Sequence, residues 1–188
     1  MPGTGKTRVD GMLRGAVGSL AGLVAMGLFF RAKQMLKSGG SGDEAKSGEG
    51  PTERQERLDD ISIVGQQSRE DEPPTETVGR LAHETVEHHE PGEETRRKLG
   101  QAVHWSYGIL LGGLYGALRS DAEGPDLLGG LGYGAAAWAL GDELMVPLLG
   151  LAEGPTAHPW TDHATALGAH LAYGAATSSA TQALRRVM

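Results

Sequence analysis

Two carboxylates stand side by side in "GDELMVPLLGL", Gly141–Leu151, inside an apolar run from Leu127 to Ala152. An ionisable group in the middle of such a run costs about 2.5–3.5 kcal/mol on membrane-insertion scales, so Asp142 and Glu143 need either a function or a strong partner. His104, His163 and His170 add side chains that titrate near neutral pH, and Tyr107 and Tyr173 add phenols. Carboxylate, imidazole and phenol away from bulk water suit three tasks: exchanging protons, holding a cation, or locking helices together. The residue types leave these alternatives open. No nucleophile stands beside a base at a recognisable spacing, so no catalytic constellation is read. With no cysteine, disulfides, thiolate metal sites and cysteine nucleophiles are excluded.

Pro147 bears directly on the carboxylates. It lacks the N–H that the Glu143 carbonyl needs in an α-helix, and its ring crowds that carbonyl. A kink is expected there, with an acceptor left seeking a partner. Asp142 and Glu143 lie about 100° apart around a helix, so they cannot both face one neighbour.

Four apolar segments would carry these groups: Gly15–Phe30, Leu99–Leu118, Leu127–Ala152 and His163–Leu184. A spanning helix needs roughly 20 mostly apolar residues. The second and third meet this; the first is short between Arg14 and Arg31, whose side chains can snorkel; the fourth is the most polar. Small residues recur every fourth position: Gly108, Gly112 and Gly116; Gly130 and Gly134; and Ala164, Gly168, Ala172, Ala176 and Ala180. Such rows form a groove that lets helix backbones approach in lipid. With the spans alternating up and down, the rise of about 1.5 Å per residue puts Asp142, Glu143 and His170 at similar depths. At least one carboxylate is therefore expected to meet His170.

The mean hydropathy of −0.29 hides a division. Of 24 Asp and Glu residues, 16 lie between Ser38 and Gly100. Residues 38–76 read as a disordered acidic linker, too poor in apolar groups to offset chain entropy. Val78, Leu81, Ala82 and Val86 share one helical face, so residues 77–98 read as a short surface helix and a lead-in starting at Glu93. Residues 1–37 are a basic N-terminus with the first membrane helix, retained rather than cleaved. Residues 99–188 are a three-helix membrane core with a basic tail.

Two apparent motifs fail. Gly5-Lys6-Thr7 would place the first glycine of a phosphate loop before Met1, with no strand ahead of it. "HETVEHHE" sets His88 one position too late for the zinc-protease pair. No cofactor, nucleotide or nucleic acid is expected.

"AVHWSYGILLGGLYGAL", "WALGDELMVPLLGL" and "HPWTDHATALGAHLAYGAATSSATQALRR" together resemble the YagU-like family of small bacterial inner-membrane proteins, across about residues 92–186. The resemblance implies a bacterial inner-membrane location and supplies no activity. The expectation is therefore an all-α, four-span transmembrane bundle with small-xxx-small packing and one long polar loop. Its function is read as a membrane protein whose carboxylate–histidine cluster responds to or conducts protons or cations. The alternative is a structural or partner-binding protein whose contacts are the bilayer, a second copy or another protein. Lys and Arg counts tie across the two sides; two arginines in the tail against none in the 152–162 loop favour both termini in the cytoplasm.

Overall fold

The computed structural model describes residues 4–39, 61–120 and 126–187. Among these it is all-helical. The helices are α1 (Thr4–Gly39), α2 (Pro74–Glu87), α3 (Glu93–Leu118), α4 (Leu127–Ala137) and α6 (Trp160–Arg185). Between α4 and α6 lie a π-helical stretch, π1 (Trp138–Met145), and a single α-turn, α5 (Val146–Leu148). One helix, over Arg8–Lys37, is long and apolar enough to cross a membrane by length and composition. The described residues fall into two compact units.

The first unit is a bundle of α1, the Gly108–Leu118 half of α3, α4 and α6. Glycine sets its spacing. A Cβ at Gly116 would strike the Gly11 carbonyl, and one at Gly112 would strike Ser19 and, at 2.6 Å, the Gly15 carbonyl. Leu23 fills the space beside Gly108. These pairs count up along α1 and down along α3, so the two run antiparallel. Gly18 meets Thr181 and Gly22 meets Thr177 and Tyr173, which makes α6 antiparallel to α1 as well. Gly130 and Gly134 of α4 lie against Gly174 and the His170 carbonyl of α6. The order is thus up, down, up, down, with contacts close enough to exclude larger side chains.

The face of α6 that is buried differs from the small-residue row noted in the sequence. Ala169, Tyr173, Thr177 and Thr181 form the covered row, while Ala164, Ala172, Ala176 and Ala180 are half-buried or exposed. Gly168 of that row is closely approached by the Phe29 ring. A tyrosine and two threonines win because glycines on α1 leave room for them.

The second unit holds residues 61–73, α2, the Glu93–Tyr107 half of α3, and the chain from Ala139 to Pro159. The expected disordered linker spans 38–76; residues 40–60 lie outside the described residues. Residues 61–73 follow a defined course. The Ile63 N–H donates to the Leu148 carbonyl at 3.0 Å, and those of Gln67 and Ser68 donate to the Gly150 carbonyl at 2.7 and 3.0 Å. Gly150 makes this possible with φ +64°, and a Cβ there would overlap Gly65. These pairings lie more than 80 residues apart along the chain, beyond what local composition registers.

α2 begins at Pro74, whose fixed φ suits a first turn, and ends at His88 in the left-handed region at φ 58°. Its apolar face is not the face it buries. Thr77, Gly79 and Arg80 are covered, while Ala82 and Val86 are exposed. Arg80 bonds Glu72 at 2.9 Å through both Nε and Nη2, and Nη2 also reaches the Gln67 carbonyl at 2.6 Å. Thr77 donates to the same carboxylate at 3.2 Å. The Arg80 bonds, the positive charge and the Thr77 hydroxyl hold the Glu72 carboxyl below its ordinary value against the opposing effect of burial, and the same partner holds Arg80 above its own.

Candidate functional site

The carboxylates occupy the π-helical stretch. Winding to i→i+5 pairs runs through Trp138–Met145 and stops where the next donor, five residues beyond Asp142, would be Pro147. Proline has no N–H to give. The sequence predicts a kink at this proline; the structure shows a widened helix ahead of it and a single α-turn containing it. The extra residue per turn re-aims the side chains of 138–145 relative to a plain α-helix.

Asp142 and Glu143 are half-buried. Asp142 is an electrostatic neighbour of Tyr107 on α3, and Gly141 admits the Tyr107 hydroxyl so closely that a Cβ would sit 2.9 Å from it. Both belong to the second unit. Gly141 is therefore the residue that lets a phenol reach the carboxylate-bearing turn. His104 lies one turn before Tyr107 on α3, and both sit on an exposed face rather than a buried one.

The remaining expected site residues lie in the first unit. His170 is half-buried, with Nδ1 2.9 Å from the Ala166 carbonyl one turn back. That contact makes Nδ1 the protonated nitrogen in the neutral ring and leaves Nε2 as the acceptor. His163 is half-buried in the first turn of α6. Tyr173 is 2% exposed and donates to the Gly108 carbonyl at 2.6 Å. Its hydroxyl ties α6 to α3 and is committed to structure.

A polar cluster that sequence reasoning missed lies at the other end of this bundle. Tyr115, 3% exposed, places its hydroxyl 3.0 Å from Asp126 Oδ2 and 2.9 Å from Ser178 Oγ. Ser178 donates to the Asp126 carbonyl at 2.7 Å, and Arg119 Nε donates to Asp126 Oδ2 at 2.7 Å. Asp126 also caps α4 by accepting from the Gly129 N–H at 3.2 Å. The Arg185 guanidinium donates to the Arg119 carbonyl. Asp126 thus joins α3 and α4 through its carboxylate and α6 through its backbone carbonyl. The available signal was an Asp just before the glycine-rich helix, the position an N-cap favours.

Among the described residues no group of three or more His, Asp and Glu could hold a metal ion. Comparison with protein-family models, with curated proteins and with solved structures finds no match for this chain.

Proposed function

We propose that the chain is a multi-pass integral membrane protein, a four-span bundle of a bacterial inner membrane. One observation carries this reading: the first unit buries hydroxyl side chains in its interior while large apolar side chains cover its outside. Within the unit, Ser19, Thr177, Ser178 and Thr181, each at most 2% exposed, are buried as deeply as Ala169 and Tyr173 beside them. Its outward faces carry Val17, Val24, Leu28, Leu110, Leu114, Leu118 and Leu128, all at least half exposed. In water such a surface drives association; in lipid it is the solvated face, and close glycine contacts supply the packing. The resemblance to YagU-like proteins favours the inner membrane, and the basic tail favours cytoplasmic termini.

The chain has no cysteine, so single cysteines can be introduced one at a time without background. Cysteines replacing Leu110, Leu114 and Leu128 are expected to resist a membrane-impermeant maleimide in intact cells and in opened vesicles alike. Cysteines at Ser41 and Glu153 should label from outside only. Labelling of the three leucine positions at the rate of the loop positions would overturn the reading.

Within that frame, Asp142 and Glu143 serve as a proton-responsive site. The π-helical turn supports this, since Asp142 on it is an electrostatic neighbour of the Tyr107 phenol. Asp142→Asn should then remove pH-dependent proton flux from reconstituted vesicles while leaving the protein folded. The pairing with His170 expected from sequence is tested by combining Asp142→Asn with His170→Ala: paired groups lose no more together than apart. A structural role predicts the opposite pattern, lowered thermal stability with no flux to lose.

A further inference from the structure

We propose that the groove between α2 and the first half of α3 binds the phosphate of an anionic lipid headgroup. The groove is an open cleft with room for about 290 Å³, and its walls include Glu76, Arg97, Gly100, Gln101, His104 and Trp105. Arg97, Gln101, His104 and Trp105 stand at i, i+4, i+7 and i+8, so they form one stripe along α3. Each can donate: a guanidinium fork, an amide, an imidazole and an indole N–H. A phosphate diester has several acceptor oxygens and one charge, which such a stripe can satisfy, and arginine engages it in bidentate fashion.

The groove is built rather than incidental. Gly100 lets α2 approach, since a Cβ there would stand 2.6 Å from Glu76 Cγ. Glu76, the one acid in the walls, is occupied by Arg96 at 3.0 Å. Among the described residues Arg97 pairs with Glu93 at 3.7 Å, between two exposed side chains, and that pair can yield to a better anion. The location selects lipid over a free anion. Trp105 is 41% exposed beside this cation, and the next turns of α3 read Ile109-Leu110-Leu111. Tryptophan and arginine at the start of an apolar helix mark headgroup depth.

The inference rests on the membrane reading, and its test separates the two. In a variant carrying Trp138→Phe and Trp160→Phe, Trp105 alone emits. The full chain is placed in phosphatidylcholine nanodiscs containing a trace of phosphatidylglycerol with brominated chains, or the same trace of brominated phosphatidylcholine. Phosphatidylglycerol is expected to quench Trp105 about fivefold more effectively, the ratio that one arginine near the surface supports. Arg97→Gln should bring the two lipids level, and Arg97→Lys should keep part of the difference. Equal quenching by both lipids, or a preference that Arg97→Gln leaves intact, would overturn the proposal. Millimolar inorganic phosphate abolishing the preference would overturn the lipid assignment in favour of a free-phosphate site. Failure of the cysteine labelling pattern is a failure of the membrane reading; an intact pattern with equal quenching is a failure of the groove alone.

Discussion

Tyr115 and Glu72 show how single buried polar groups are held, each within its own unit. Tyr115 has one hydroxyl shared by a carboxylate and a serine, all covered by the bundle. Tyr115→Phe keeps the ring and removes the hydroxyl's hydrogen bonds, at a cost of about 0.5–1.5 kcal/mol, since Ser178 and Asp126 keep their other partners. Thermal unfolding in detergent should show that loss, and Tyr107→Phe, on an exposed face, should show far less. Glu72 answers to pH. Its carboxyl is held below the ordinary value of 4.5, first by its hydrogen bonds to Arg80. A depressed carboxyl contributes stability that is full above its unfolded value and is lost as pH falls through its folded value. Melting temperature should therefore decline as pH drops below about 4.5. Glu72→Gln should flatten that decline and lower stability at neutral pH by about 3 kcal/mol, because Arg80 is left buried without its main counter-charge. An unchanged pH profile in Glu72→Gln would count against this assignment.

At the scale of elements, not all helix glycines are equivalent. Gly112 faces Ser19 and Gly15 across the α1–α3 contact, whereas nothing lies within 4 Å of the Cβ positions of Gly27 and Gly132. Gly112→Ala must push the helices apart, at about 1–3 kcal/mol for an overpacked contact. Gly132→Ala meets no neighbour and should gain up to about 1 kcal/mol from helix propensity. Unfolding in mixed micelles measures both; equal effects would refute the assignment of Gly112 to a close seam. π1 is an element-scale feature with a residue-scale cause. Pro147→Ala restores the missing N–H, and amide exchange over residues 142–148 should slow once the carbonyls regain a donor.

For the molecule as a whole, charge and greasiness are partitioned along the chain. The net charge of −7 arises largely from residues 38–100, while apolar side chains cover the outward faces of the bundle. Expressed in bacteria, the chain should stay in the membrane pellet through alkaline carbonate and high salt and leave it only with detergent. Release by carbonate would contradict the proposed four spans, because integral helices are not held by charge.

Helix existence and the Glu93 start of α3 were readable in the sequence, since apolar periodicity and the Pro91–Gly92 break are local signals. So were the glycine rows on α3 and α4, whose spacing alone places them on one face. Which side chains those rows would receive was not readable. Gly168 packs against Phe29, but the most buried row of α6 lies one position beyond the small-residue row, because a threonine or tyrosine fits wherever the partner helix supplies a glycine. The ordered course of 61–73 and the Glu72–Arg80 pair depend on contacts with distant carbonyls or across several turns, which composition averages away. The Asp126 cluster needed three helices to converge. The sequence alone determined that the chain is helical and where its helices can approach closely; only tertiary structure decided which polar groups share a site, because that depends on helix rotation and on pairings far apart in the chain.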